Sequence, residues 1–355
     1  MNSLRRTEKV VKRLKERGLD LFLGTTLEGS NKTVRYLSKF SGDTGAIIVG
    51  EKESFLFVDS RFYTQASQES DFELVKLGNS TFFDKIGEMI KDKKVGIEGS
   101  KLSYTWYKKL SLSATFEDFE TEISQIRAVK EPEEIEKIKK AIEVAQNALN
   151  KTLEKFHAGM KEREFSALLE YEMVMEGAQK PSFETIVASG YRGALPHGLA
   201  SDKPMERGEM VVVDFGALVD GYCSDLTRTF AIGNVPQEYR EAYNAVLNAQ
   251  LAAMQQAHAG MKGCEIDAIA RETLQAKGLG EYFSHSLGHS VGMDVHEFPV
   301  LSPRYDKKIP AGAVVTFEPG VYIPGKFGIR IEDDVLLTEN GYECLSSFNK
   351  EFTQI

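Results

Sequence analysis

The sequence predicts an α/β amino-terminal domain followed by a larger domain of hairpins and helices built as two related halves. Three observations carry this. Short apolar runs alternate with helical patterns over the first third of the chain. The texture changes to charge-rich helix near residue 125. Beyond that, the pentapeptide "HAGMK" occurs at 157–161 and again at 258–262, each time between two helical stretches.

At 355 residues the chain exceeds the ~250–300 at which a single core stops growing, which favours two domains. Its 42% hydrophobic and 27% charged residues are those of a soluble globular protein. A net charge of -9 offers no basic face and argues against nucleic acid as a partner. No apolar run approaches the ~20 residues that span a bilayer, so no membrane partner is expected. The opening "MNSLRRTEKVVKRLKERG" has no apolar segment behind its basic residues that could act as a signal. Cys223, Cys264 and Cys344 are scattered and lack metal spacing, which fits a reduced cytoplasmic setting.

The first element is an amphipathic helix with Leu4, Val11 and Leu14 on one face and Gly18 at its end. "LDLFLG" (19–24), "GAIIVG" (45–50), "SFLFVD" (54–59), "FELVKL" (72–77) and "KVGIEG" (94–99) then read as strands. "TFFDKIGEMIKDKK" (81–94) is a helix between them, giving an α/β layer. No histidine precedes position 157, so this region is poor in catalytic chemistry. In "RAVKEPEEIEKIKKAIEVAQNAL" (127–149), Pro132 suits a first helical turn. His157 and His258, in the two pentapeptides, read as surface residues at helix ends, where a cation meets the negative end of the dipole.

Chemistry concentrates in two hairpins. In "MVVVDFGALVDGYCSDLTRTFAI" (210–232), Asp220-Gly221 is a two-residue hairpin signal that pairs Val219 with Tyr222. Asp214 then lies opposite Thr227, and Asp225 is its diagonal neighbour on the same face, roughly 7–8 Å away at the backbone. A buried carboxylate needs a positive partner. Arg228 or a neighbouring basic residue could supply it, but two such carboxylates favour a metal. In "VVTFEPGVYIPGKFGIRIEDDVLL" (314–337), Glu318 and Glu332 stand in the two strands, and Arg330 shares the face of Glu332. One arginine cannot neutralise four inward carboxylates, which points to divalent cations, two in number. Oxygen-rich ligation with one imidazole suits Mn, Co, Fe or Zn. Two such ions imply metal-assisted hydrolysis.

Taken in order, Asp214, Asp225, "GHSVG…HE", "FEPGVY" and "GIRIEDD" resemble the dinuclear metallopeptidases of the pita-bread fold. "VRYLSKFSGDTGAIIV" and "FVDSRFYTQA" narrow the resemblance to the aminopeptidase P and prolidase branch. It covers nearly the whole chain and implies a creatinase-like α/β domain over residues 1–125. Residues 126–355 become an α+β pita-bread catalytic domain with pseudo-symmetric halves. It implies Asp214, Asp225, His289, Glu318 and Glu332 as ligands of two divalent ions, preferably Mn or Co with Zn or Fe as alternatives. Asp225 and Glu332 would touch both. A metal-bridging hydroxide would attack an Xaa-Pro carbonyl, with Glu318 as general base. His197, His285 and His296 match substrate-facing histidines that bind the carbonyl and its developing oxyanion. Arg330 matches an arginine supporting the cluster and meeting the substrate carboxylate. Proline-containing peptides are the implied substrates and a homodimer the implied assembly.

The resemblance also bears on "HSLGHSVGMDVHE" (285–297). His285 and His289 have the spacing of a helical metal clamp, but Gly288 and Gly292 weaken any helix there. The segment after His289 alternates like a strand, which would put His289 and His296 on opposite faces. If both reach one pocket, a bend or bulge near Gly292 must turn the chain. Ser290 stands where the family usually has Gly, and an adjustment of the pocket wall is expected there. Xaa-Pro aminopeptidase is the preferred activity and prolidase the alternative. A methionine aminopeptidase would lack the first domain, and creatinase has lost the ligands. A non-catalytic peptide-binding pita-bread module is the reading from another class, disfavoured because every ligand position is filled.

Overall fold

A six-stranded sheet is the centre of residues 1–127, the first of two units into which the chain divides; the second is Ala128–Ile355. The computed structural model describes residues 2–27 and 31–355. The first unit begins α1 (Asn2–Arg17), β1 (Leu21–Thr26), α2 (Lys32–Ser38), β2 (Gly45–Val49), β3 (Ser54–Val58) and α3 (Tyr63–Glu69). It continues β4 (Glu73–Lys76), α4 (Phe82–Met89), β5 (Lys94–Ile97), α5 (Tyr104–Leu110), β6 (Thr115–Asp118) and α6 (Glu120–Ala128). The strand order is β4-β3-β2-β1-β5-β6.

All five apolar runs are strands. The sixth, β6, was not expected because Glu117 and Asp118 break its pattern; it is an edge strand, where charge discourages pairing with other chains. In α1 the buried stripe runs through Thr7, Val10 and Leu14. Leu4 lies off it and is 70% exposed.

The second unit opens with α7 (Pro132–Glu154), which has Pro132 in its first turn, and α8 (Glu162–Met175). Then come β7 (Lys180–Pro181), β8 (Ile186–Ser189), β9 (Met210–Phe215), β10 (Ala217–Val219), β11 (Tyr222–Cys223) and β12 (Leu226–Ala231). Helices α9 (Gln237–Gln256) and α10 (Gly263–Gln275) precede β13 (Gly288–Ser290), β14 (Glu297–Leu301) and β15 (Val314–Phe317). The chain closes with β16 (Gly320–Ile323), β17 (Phe327–Arg330), β18 (Asp333–Thr338), β19 (Gly341–Cys344) and β20 (Thr353–Gln354). Two larger sheets result, β20-β12-β9-β8 and β14-β13-β15-β18-β19. The second shares a core with α9 and α10 in which Val246, Ala249, Ile266 and Ala270 meet Val315, Phe317 and Val335.

The repeated pentapeptide is a repeat in space. In the first copy the Gly159 amide donates to Met205 O, and the Met205 amide to Met160 O. In the second the Gly260 amide donates to Ile309 O, and the Ile309 amide to Met261 O. Both glycines have positive φ, 95° and 91°, which favours glycine at those turns. Glu164 and Glu265 then accept from the amides of Lys161 and Lys262, opening α8 and α10 alike. His157 and His258 are exposed just past the ends of α7 and α9, each with Nδ1 facing the next residue's carbonyl oxygen.

Candidate metal centre and active site

Backbone register places the first two carboxylates. Val219 pairs with Tyr222, and Asp214 with Thr227. Asp220 and Gly221 close the turn at φ 50° and 81°, the left-handed pair that a two-residue hairpin of this kind requires.

The second hairpin keeps one register from end to end, with Phe317 opposite Asp333 and Gly320 opposite Arg330. Between those pairs the ladder opens. The Glu318 amide turns away to donate to Leu287 O, and the Glu332 amide donates to Thr227 O. Each glutamate is thus tied to a segment outside its own hairpin. That is how residues on four separate strands or strand ends come to share one cleft.

His289 lies on β13 at a bulge. It pairs with Val300, and the next residue, Ser290, pairs with Glu297. The turn in the chain therefore begins at the His289–Ser290 junction, ahead of Gly292. Residues 291–296 are a loop of bends, not the strand their alternation suggested. Short-range bonds explain this: the Gly292 amide donates to Asp294 O and the Asp294 amide to a Glu297 carboxylate oxygen. The loop brings the rings of His289 and His296 to 4.2 Å between centroids.

Asp225, His289 and Glu332 each present a ligand atom within 4.8 Å of one another. His289 Nε2 is 3.3 Å from Glu318 Oε1 and 3.6 Å from Asp225 Oδ2. Its Nδ1 faces Ser290 O at 3.3 Å, an arrangement that leaves Nε2 to bind an ion. Asp214 stands beside the group, one oxygen held by the Arg330 guanidinium and the other, Oδ1, buried with no partner among the described residues. Asp214, Asp225, His289, Glu318 and Glu332 together line a cleft of about 560 Å³ with His197, His285, His296 and Arg330.

The electrostatics fit cations. Burial first, and then Glu332 and Asp214, raise the Asp225 carboxyl well above its usual value. Burial, with Glu318 and Asp214, does the same to Glu332. Burial raises Asp214 too, against the pull of Arg330. Burial pushes Glu318 upward as well, but the hydrogen bond and charge of His289 hold it at about 2. Carboxylates packed this closely cannot all ionise without added positive charge. The orphaned Asp214 Oδ1 and the converging atoms of Asp225, His289 and Glu332 are where divalent ions would supply it.

Arg330 answers Asp214 and leaves Glu332 without an arginine. Its Nε donates to Thr227 Oγ1 at 3.0 Å, and one terminal nitrogen donates to Tyr322 Oη at 2.7 Å and Pro196 O at 3.1 Å. The other terminal nitrogen holds Asp214. Arg228, the alternative partner, is occupied by Asp333 instead. With four of its five N–H groups bonded inside the protein, the guanidinium supports the cluster from the wall of the cleft.

His285 also lines the cleft and is held within the protein. Both ring nitrogens are engaged, Nδ1 with Ser286 O at 2.8 Å and Nε2 with Tyr322 Oη at 2.9 Å. His197 is exposed at the cleft, and its charge, after burial and His289, helps to lower the His296 imidazole from its ordinary value. Sequence reasoning missed Tyr322, which links His285 to Arg330, and Thr227, which donates to Glu332 at 2.6 Å. Only their even spacing from Glu318 and Asp225, four and two residues back along the chain, could have indicated them. Ser290 does not line the cleft. It is fully buried on the opposite side of β13, where its hydroxyl donates to Val314 O.

This fold and cleft define a metal-dependent hydrolase. The chain belongs to metallopeptidase family M24, whose model matches residues 136–339, and its residues 6–129 match the creatinase/prolidase N-terminal domain. The expected fold class, a creatinase-type domain followed by a pita-bread catalytic domain, therefore holds. The chain is 43% identical to an Xaa-Pro dipeptidase of Pyrococcus furiosus over 98% of this chain and 99% of that one. The prolidase of Pyrococcus horikoshii superposes with a TM-score of 0.92 at 39% identity, covering 98% of this chain and 99% of the other. An X-Pro aminopeptidase of Thermotoga maritima superposes with a TM-score of 0.92 at 42% identity, covering 99% and 100%. No helix among the described residues is long and apolar enough to cross a membrane.

Proposed function

We propose that this protein is an Xaa-Pro dipeptidase whose catalytic domain is residues 126–355. The observation that carries the metal-dependent reaction is the convergence of Asp225, His289 and Glu332 beside Asp214 and Glu318 in one buried cleft. The preference drawn from the sequence, aminopeptidase before prolidase, is reversed, because the relatives named as dipeptidase and prolidase outweigh those named as aminopeptidase.

Asp214, Asp225, His289, Glu318 and Glu332 would hold two divalent ions, Mn or Co suiting this oxygen-rich set best. Such ions, when bound, polarise the scissile carbonyl and lower the pKa of water. Glu318 is the base: ionised near neutrality, it takes a proton from the attacking water and delivers it to the leaving proline nitrogen. His296 and His197 donate to the carbonyl oxygen as negative charge develops there. His285 acts through Tyr322, which in turn fixes Arg330 and hence Asp214.

One observation favours the aminopeptidase as a second reading. Arg330 is the one lysine or arginine among the described residues lining the cleft, and its nitrogens already donate within the protein. Of that guanidinium, one N–H of five is left to meet a dipeptide's terminal carboxylate. The test is hydrolysis of Xaa-Pro against Xaa-Pro-Yaa with Mn, Co and Zn. Cleavage of the dipeptide alone supports the dipeptidase, and cleavage of the tripeptide the aminopeptidase. Cleavage of neither by metal-replete protein revives the binding-module reading.

A further inference from the structure

We infer that Lys130 is a positioning residue that sets the spacing of His289 and His296. The inference rests on the reading that His289 binds a cation. Lys130 lies outside every motif that carries a cleft residue. Its amide donates to Gly312 O at 2.9 Å, which ties it to the loop leading into β15. Its ammonium donates to Glu297 Oε2 at 2.9 Å and to Ser290 Oγ at 3.3 Å. The Lys130 and Glu297 side chains are only 1% and 6% exposed.

Both partners are adjacent in sequence to a histidine of the cleft: Ser290 follows His289, and Glu297 follows His296. They also sit at the one place where β13 and β14 slip register. In a regular ladder, backbone hydrogen bonds set the distance between strands. At a bulge those bonds are interrupted, so another interaction must fix the spacing. The ammonium bridges the gap. The Ser290 hydroxyl donates to Val314 O and can accept from Lys130 on its free lone pair. The second Glu297 oxygen accepts from the Asp294 amide at 3.1 Å, closing the loop that carries His296. Gly292 leaves room for that carboxylate, since a Cβ there would lie 2.6 Å from Glu297 Oε1. This gives Ser290 an assignment: it supplies the lysine with a second acceptor next to the metal-binding histidine.

The test compares wild type with Lys130→Met/Glu297→Gln, which removes both buried charges together and so leaves neither unpaired. Cobalt binding is titrated by visible absorption, and kcat and KM are measured on an Xaa-Pro dipeptide. Loss of a partner that orients a metal ligand typically costs ~10–100-fold in metal affinity or activity. The expected result is a loss of that order in the affinity for one cobalt equivalent and in kcat, with KM changed less than about twofold. Ser290→Gly should show the same pattern more weakly. A folded double variant with wild-type cobalt affinity and kcat overturns the inference, whatever its melting temperature. A wild type that takes up no cobalt overturns the underlying reading and this inference with it.

Discussion

Arg330 gives Asp214 its counter-charge and donates also to Thr227, Tyr322 and Pro196, which fixes the guanidinium in the wall of the cleft. Arg330→Gln removes that charge and leaves Asp214 buried. Breaking one side of a buried pair costs about 3–5 kcal/mol. In the metal-free protein we expect a loss of that size in urea unfolding. In the loaded protein the loss should be smaller, because cations replace the missing charge. Equal losses in the two states would show that Asp214 faces no ion.

Asp225→Asn removes a charge from the centre of the ligand group while keeping its shape. The variant should bind fewer cobalt ions by calorimetry and lose at least about 100-fold in kcat/KM, the upper end of what even an indirect metal partner costs. Undiminished hydrolysis would rule out the dinuclear reaction.

Stability of the metal-free protein should fall as pH rises. Burial and neighbouring carboxylates raise Asp225 and Glu332, and burial takes Asp334 up to about 8. Groups raised in the folded state favour it below the ordinary carboxylate range and withdraw that support as pH climbs through their folded values. Glu318, held at about 2, works oppositely, and its contribution disappears only as pH falls towards that value. Between about pH 4 and 8, therefore, chelated protein should lose melting temperature. Metal binding displaces the same protons and strengthens with pH. The gap between loaded and chelated melting curves should widen from pH 5 to 8; a constant gap would contradict the assignment.

Tyr322→Phe deletes the hydroxyl between His285 and Arg330. Leaving their nitrogens short of a partner should cost about 1–3 kcal/mol. Activity should fall through kcat, as Asp214 loses its orientation. A variant whose KM alone rises would instead place Tyr322 in substrate binding.

How much of this was legible in the sequence depended on period and on turn chemistry. Asp220-Gly221 fixed the first hairpin, and with it the pairing of Asp214 with Thr227, because a two-residue turn leaves one register. The second hairpin was equally legible in its pairing. The opening of its ladder at Glu318 and Glu332 was not, since that depends on Leu287 and Thr227, which lie outside the hairpin. The loop 291–296 differs from the strand its alternation suggested because valines alternating with small and polar residues say nothing of the bonds made here, the Cys223 amide donating to Gly292 O and the Asp294 amide to Glu297. Lys130 was invisible because it reaches partners 160 and 167 residues away. Its contacts exist only once the chain has folded.

The matched turns at Gly159 and Gly260 have a mechanical consequence. Asp214 and Asp225 come from the half that follows the first turn, and His289, Glu318 and Glu332 from the half that follows the second. Neither half carries a complete binding set, so ions at the centre would act as rivets across the seam between them. Chelation should then loosen the two halves from one another before either unravels. Hydrogen exchange would register this as early deuterium uptake at the Glu332 amide, which donates to Thr227 O across that seam, while α9 and α10 stay protected.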